Sequence, residues 1–449
     1  MAAKTLIKIA AAMLIAGGCY HAEPLDTRAM LAELRRADPL PAAPAATGAN
    51  SAAGALTEEQ SIALALSFNR DLRTLRLTRG IAEGEIQTAG ELSNPVLRLE
   101  MLHVQRGFSN LGWDARVSWT PPQPGVRAGR KGAATARLDE VDREVSEREW
   151  MLACDVRVAH ATLLAIDEEI RVAEDTITNR RKLAELVSRR VAKGGTTRFD
   201  LDLSQLSLAT AERAHGDRLL MRTVAAAALV QLLGVGPPAG AVTAVGALGD
   251  DGVNAPLPPA AELEDRALAD RPALAAARAR YLAAEQTLRA ETAARWPWFS
   301  LAAIPRLRRN DVAIDATDLV FGVDVGLPLL NTNGGRVKSA TAAREAARAG
   351  VVGTLATLRA DIARALASIE SHRAVLNRLH VVIEPLLAEH DRLMAVAAQS
   401  AELDLPAVVA SEDLVLRART ELIQTRLDLR KAHVALERAV GAHVGSSGK

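Results

Sequence analysis

His380 and Glu384 are the residues whose types and spacing come nearest to metal chemistry. Four apart on a helix they share a face, and an imidazole and a carboxylate there could share an ion. Two ligands do not close a site, and the nine histidines are scattered, so no metal centre is expected. Gly125 to Lys131 has the glycines and lysine of a phosphate loop but not the Gly-x4-Gly-Lys-Ser/Thr order. Neither a Ser-His-Asp set nor a His-Glu-x-x-His helix is found. The sequence therefore predicts no enzyme and no cofactor. Its remaining chemistry is charge placed at breaks in regular structure: Arg190, Arg198 and Asp200 in one, Glu402 and Asp404 in another, and Asp324 on a strand.

Those charges must be positioned by long elements. The 449 residues carry 55 Lys+Arg against 54 Asp+Glu, a net charge of +1. That balance offers no basic face for phosphates, so nucleic acid is not an expected partner. Hydrophobic residues make up 49%, charged residues 24% and aromatics only 3%, which suits long Ala-rich helices with thin seams. Two cysteines exclude a disulfide scaffold.

One of the two, Cys19, sits in an N-terminal address. Lys4 and Lys8 form a positive start, Ile9 to Ile15 a short apolar run, and Ala16-Gly17-Gly18 precede the cysteine. The pattern resembles a bacterial lipobox, with Ala16 where Leu is usual. It predicts cleavage after residue 18 and a lipidated, palmitate-bearing Cys19. Tyr20 follows, not the Asp that in some bacteria resembles an inner-membrane retention signal. The other cysteine, Cys154, reads as a buried helical thiol. No later stretch reaches about 18 uninterrupted apolar residues, so any membrane crossing must be made by strands.

The chain is one unit written twice. Asn69-Arg70-Asp71-Leu72 matches Arg271-Pro272-Ala273-Leu274 at an offset of 202, and Asn94-Pro95 matches Trp296-Pro297 at the same offset. Pro122 and Arg130 meet Pro328 and Arg336 at 206, and Ser204 to Gly234 aligns without gaps to Ser411 to Gly441 at 207. The domain reading is a signal peptide over 1–18, an extended leader over 19–55, a first repeat over 56–234, a Gly/Pro linker over 235–259 and a second repeat over 260–445.

Within each repeat the order reads helix, two strands, very long helix, shorter helix. Phe321, Val323, Val325 and Leu327 alternate with Gly322, Asp324 and Gly326; Ala115, Val117 and Trp119 alternate with Arg116, Ser118 and Thr120. Period two marks strands with one apolar and one polar face, as suits a core or lipid on one side and a watery lumen on the other. Leu355, Leu358, Ile362, Ile369, Leu376, Leu379, Ile383 and Leu386 repeat at three, four and seven, a coiled-coil seam. At about 1.5 Å per residue the stretch 334–400 spans about 100 Å, with its counterpart over about 126–193. The helices over about 58–92 and 200–233 are each about half as long, so two stacked end to end match one long helix in a tube of uniform height.

The aromatics gather in the strand windows. Phe108, Trp113, Trp119, Trp296, Trp298, Phe299 and Phe321 lie within 95–121 and 296–328. Trp113, Trp119, Trp296, Trp298 and Phe321 are accordingly expected to form an aromatic girdle at the membrane boundary.

Together these features resemble the TolC-like outer membrane efflux factor family. Asn94-Pro95 ends the first helix as that family's Asn-Pro does. Leu327-Pro328-Leu329-Leu330 followed by Gly334-Gly335-Arg336 resembles its strand-to-helix turn. Arg190, Gly194, Thr197 and Asp200 have the spacing of its helix-hairpin tip. The second tip departs, with Ala401, Asp404 and Ala407 at the matching places.

The resemblance implies a mainly α fold with a small transmembrane β-barrel: long coiled-coil helices in a helical barrel, four β-strands per protomer, and a twelve-stranded barrel in a homotrimer. It implies a passive conduit in the outer membrane of a Gram-negative bacterium, with its helical tunnel in the periplasm. The partners it implies are a periplasmic adaptor (membrane fusion) protein, an inner-membrane pump and outer membrane lipid. Arg190, Gly194, Thr197, Arg198, Asp200, Glu402 and Asp404 are the expected docking and gate residues. Both tips lie about 100 Å of helix from the strands, so the resting channel is expected to be shut there, with those charges paired across chains. The competing readings are a lipid-anchored periplasmic coiled-coil adaptor or scaffold without a channel, and an envelope enzyme. The paired strands and clustered aromatics argue against the first, the missing catalytic motifs against the second.

Overall fold

Within the leader, the carboxylate of Asp26 accepts from the backbone N–H of Arg28 and Ala29, at 2.9 and 3.1 Å, and caps a helix (α1, Thr27–Arg36) where an extended chain was expected. The computed structural model describes residues 22, 24–36, 54–103, 111–234, 242–249, 256–310, 313–397 and 405–444. Beyond α1, a two-residue strand (β1, Ala55–Leu56) leads into a helix that Thr57 and Gln60 open with a reciprocal capping box.

That helix is not continuous to the first strand. It runs as Glu58–Phe68 (α2) and then, after Asn69, as Arg70–Gly90 (α3). Asn69 is extended, its side-chain oxygen accepts from Leu72 N–H at 3.0 Å, and its amide donates to Leu232 C=O at 2.9 Å. One side chain thus caps the new helix and ties the break to a distant one.

The hairpin that follows is β2 (Val96–His103) and β3 (Leu111–Trp119). The turn after it holds Gly125 at φ 86, and a single helix of 67 residues (α4, Val126–Ala192) extends about 100 Å. A helix of 36 residues (α5, Arg198–Leu233) returns. A short strand (β4, Thr243–Ala244) then pairs in parallel with β1.

The second pass repeats the order. Helix α6 (Ala260–Asp270) breaks at Arg271 into α7 (Pro272–Ala293), with Pro272 in the first turn, where a missing N–H costs nothing. Strands β5 (Trp298–Asn310) and β6 (Ala313–Gly326) lead to α8 (Gly334–Arg378), entered through Asn333 at φ 57. A final helix (α10, Leu405–Val440) again has 36 residues.

Between α8 and α9 (Glu384–Ala397) the long helix carries a π-turn over Leu379–Ile383, where Glu384 N–H reaches back to Leu379 C=O. Its cause is Pro385. A proline ring has no N–H to give and collides with the turn behind it, and the wider turn makes room. The extra residue rotates everything downstream. Leu358, Ile362, Ile369, Leu376 and Leu379 are buried along the predicted seam, whereas Leu386 beyond the π-turn is 61% exposed.

Each pass owns an apolar core. Leu72, Leu152, Leu163, Leu229 and Leu233 centre the first; Leu263, Leu358, Ile362, Leu429 and Leu436 centre the second. A third cluster, with Leu164, Ile423 and Leu427, joins α4 to α10. The passes also meet through α4 and α7, where Gly129 lies so close that a Cβ there would stand 2.8 Å from Ala290. The four long strands form one antiparallel sheet in the order β2-β3-β5-β6, with β2 and β6 at open edges.

Candidate functional site

Strand register sorts the sheet's side chains into two sets. Leu97 is opposite Val117, Val117 opposite Ala303, and Ala303 opposite Phe321. Trp119 is opposite Leu301, which is opposite Val323; Phe299 is opposite Val325. Leu99 faces Ala115, and Met101 and Trp113 hold the next position of the same row. This face is apolar along all four strands. Phe321 at 76%, Val323 at 64% and Leu99 at 62% exposure show that none of the described residues covers it. A continuous apolar surface of this kind needs lipid or a partner.

The opposite face carries the sheet's charged residues, together with the apolar pair Ile304–Val320. Arg98 faces Arg116, and Ser300 faces Asp324. Glu100, Asp114, Arg306 and Asp318 hold one further row, each opposite the next. Strands β5 and β6, of 13 and 14 residues, exceed the roughly 9–11 residues that cross a bilayer.

The expected girdle divides by the same parity. Trp119 belongs to the apolar face, and its indole N–H donates to Ser93 C=O at 2.9 Å where the hairpin leaves the helices. Phe321 lies on that face too, and Trp113 holds a position of the same parity two rows farther along the sheet. Trp296 precedes β5, exposed, in the turn after α7. Trp298 shares the polar face with Ser300 and Asp324, and packs across Gly326, which leaves no room there for a side chain.

At the other end of α4 the backbone closes a Schellman turn. Gly195 N–H donates to Arg190 C=O and Gly194 N–H to Val191 C=O, both at 2.9 Å, with Gly194 at φ 70. Thr197 then caps α5. Asp200 N–H donates to Thr197 Oγ1 at 3.2 Å, Thr197 N–H to Asp200 Oδ2 at 3.0 Å, and the hydroxyls of Thr196 and Thr197 to the same oxygen at 2.6 Å. The Thr196 hydroxyl first, then Thr197, hold the Asp200 carboxyl below its ordinary value of 3.8. One oxygen of Asp200 is therefore spent inside its own hairpin. Arg198 and Phe199 are exposed beside it. Cys19, Glu402 and Asp404 lie outside the described residues.

The sign of the Asp200 shift fixes its pH dependence. A carboxyl with a lowered folded pKa stabilises fully above 3.8 and loses that contribution as pH falls through the folded value. Thr197→Ala removes the cap at every pH, at about 1 kcal/mol. Hydrogen-exchange protection factors at residues 198–201, taken relative to the intrinsic rate at each pH, should fall in that variant at pH 7, and in the wild type only in acid.

Sequence reading missed a set of arginines that knit the helices together. Arg180 on α4 is buried, donates to Ser207 C=O on α5 at 2.9 Å and pairs with Asp413 on α10. Arg157 on α4 joins Glu58 on α2 to Glu437 on α10. Such long-range pairs have no local signature. Cys154, beside Arg157, is buried, and burial first of all pushes its thiol up to about 11. It stays protonated and inert. His380 Nδ1 lies 3.0 Å from Glu384 Oε1, and Arg426 approaches the same oxygen at 3.6 Å. Among the described residues no three His, Cys, Asp or Glu side chains gather as a metal site. None of the described helices is long and apolar enough to cross a membrane.

Solved structures share this arrangement of long helices and a four-stranded sheet. CusC matches with a TM-score of 0.73 at 17% identity over 90% of this chain and 99% of its own. The outer membrane protein VceC of Vibrio cholerae matches at 0.70 and 20% identity over 86% and 96%. The chain has the fold of the TolC-like outer membrane channels. A curated relative, the cobalt-zinc-cadmium resistance protein CzcC of Cupriavidus metallidurans, is 23% identical over 397 residues, 87% of this chain and 91% of its own length. No protein-family profile matches the chain.

Proposed function

We propose that the protein is the outer membrane channel of a tripartite efflux or export system, a passive conduit and not an enzyme. The observation that carries this reading is the sheet: four strands, apolar on one face and bearing the charged residues on the other, covered by none of the described residues, with both edges open. An open edge has no place in hydrocarbon, and four strands cannot close around a channel, so the edges must meet other copies. Three copies give twelve strands and continue below the bilayer as a helical tunnel about 100 Å long. A scaffold without a channel would have no use for such a sheet.

In this reading residues 56–234 and 260–445 are two outer-membrane-factor repeats joined by 235–259. Cys19 carries lipid after removal of 1–18 and anchors the leader 19–55 in the outer membrane. Arg190, Gly194, Thr197, Arg198, Asp200, Glu402 and Asp404 form the tip that meets a periplasmic adaptor and its inner-membrane pump. There the idle tunnel narrows and holds back large solutes. The pump supplies the energy and selects the cargo.

Native mass spectrometry of the mature, detergent-solubilised protein tests this. The expected mass is three chains, each beginning at Cys19 with attached acyl groups. A lone chain with full β-content would refute the shared barrel, and an unmodified start elsewhere would refute the anchor.

A further inference from the structure

The polar face of the sheet is layered by charge. Arg98 on β2 and Arg116 on β3 are direct cross-strand partners. Like charges placed opposite one another destabilise a sheet, so chance packing does not favour the pair. Arg98 has a counter-charge in Glu100, at 3.8 Å, but both side chains are about 60% exposed and such a pair is weak. Arg116 meets no carboxylate among the described side chains. The same row runs on through the apolar pair Ile304 on β5 and Val320 on β6. The next row toward the helices, Val96–Ser118–Ala302–Gly322, is uncharged, and below it comes Asp324 beside Ser300. On the other side of the arginines lies the row Glu100, Asp114, Arg306 and Asp318.

We propose that Arg98 and Arg116 form a cationic belt in the barrel lumen, which draws small anionic solutes in and holds free cations back at that level. The proposal rests on the channel reading above. Two guanidiniums per chain become six in a trimer, all on the watery face, in one row of the register. Arginine suits this role because it stays charged at every working pH. A ring of fixed charge in a narrow aqueous passage biases which sign of ion crosses it. The Asp324 row, toward the helices, and the row of Glu100, Asp114, Arg306 and Asp318, on the other side, carry net charge of the opposite sign, so the belt is one cationic layer between two acidic ones.

Reversal potentials in planar bilayers under a potassium chloride gradient test the belt, with trimer assembly checked by native mass. R98Q/R116Q should raise the potassium-to-chloride permeability ratio about threefold at physiological salt, and more in dilute salt, where screening is weaker. R98K/R116K should keep the wild-type ratio, and Asp324→Asn should shift it the other way. An unchanged ratio in assembled R98Q/R116Q overturns the belt while leaving the channel reading intact. Assembled, inserted wild-type trimers that pass no current at all overturn the channel reading instead. Should the double variant fail to assemble, R116Q is read alone, and the absence of any shift in it overturns the proposal equally.

Discussion

Gly234→Ala should destabilise the folded chain by about 2–5 kcal/mol, the sum of a left-handed residue's strain and an overpacked contact. Gly234 ends α5 at φ 72, and a Cβ there would stand 2.6 Å from Phe68 C=O and 2.7 Å from Asn69 Cα. The obstacle is backbone, which cannot swing aside as a flexible side chain would. Gly441 repeats the case at the end of α10, with φ 84 and a Cβ position 2.8 Å from Arg271 Cα. Each glycine thus seats one half's last helix on the same half's helix break, Asn69 or Arg271. Thermal unfolding of Gly234→Ala and Gly441→Ala should show comparable losses. A loss below about 1 kcal/mol in either would mean that the close approach relaxes at little cost.

Arg157→Ala should cost about 3–5 kcal/mol, because it leaves carboxylates in a poorly solvated site without their cation. Arg157 Nε lies 2.9 Å from Glu58 Oε1, its other arm pairs with Glu437, and both it and Glu437 are buried. Arg430 holds Glu58 from the far side at 2.8 Å. Burial alone would raise the Glu58 carboxyl; Arg430 and Arg157 together outweigh it and hold it below 4.5. A lowered folded pKa means stability that is complete above 4.5 and is lost as pH falls through the folded value. The variant should lose stability at neutral pH and show a flatter acid limb in denaturant titrations from pH 7 to 3. Arg157→Lys should recover only part, since one ammonium cannot fork to two carboxylates. An unchanged neutral-pH stability in Arg157→Ala would show the site to be wetter than its burial implies.

The sequence made the order of elements legible because its strongest signals are local. Alternation at 320–327 placed Phe321, Val323 and Val325 on one face and Gly322, Asp324 and Gly326 on the other, and the register keeps that division. The capping box of Thr197 and Asp200, which the structure shows, spans only four consecutive residues. The break at Asn69 was not legible, because the group that receives its amide, Leu232 C=O, is 163 residues away. Pro385 stands inside the helical stretch 334–400, but its relief by a π-turn, and the resulting loss of Leu386 from the seam, follow from one inserted residue that periodicity alone does not reveal. Trp298 was grouped with the other tryptophans by type. Its parity with Ser300 and Asp324 was already in the sequence and places it on the polar face.

The central claim is that the open edges β2 and β6 close against neighbouring copies. Disulfide cross-linking in intact outer membranes tests it most directly: one cysteine scanned along Val96–His103, a second along Leu319–Gly326, in a Cys154→Ser background. The account predicts that some pairs link efficiently, giving a covalent ladder that ends at three chains. Links formed only within a single chain, or none at any pair in a correctly assembled protein, would contradict it.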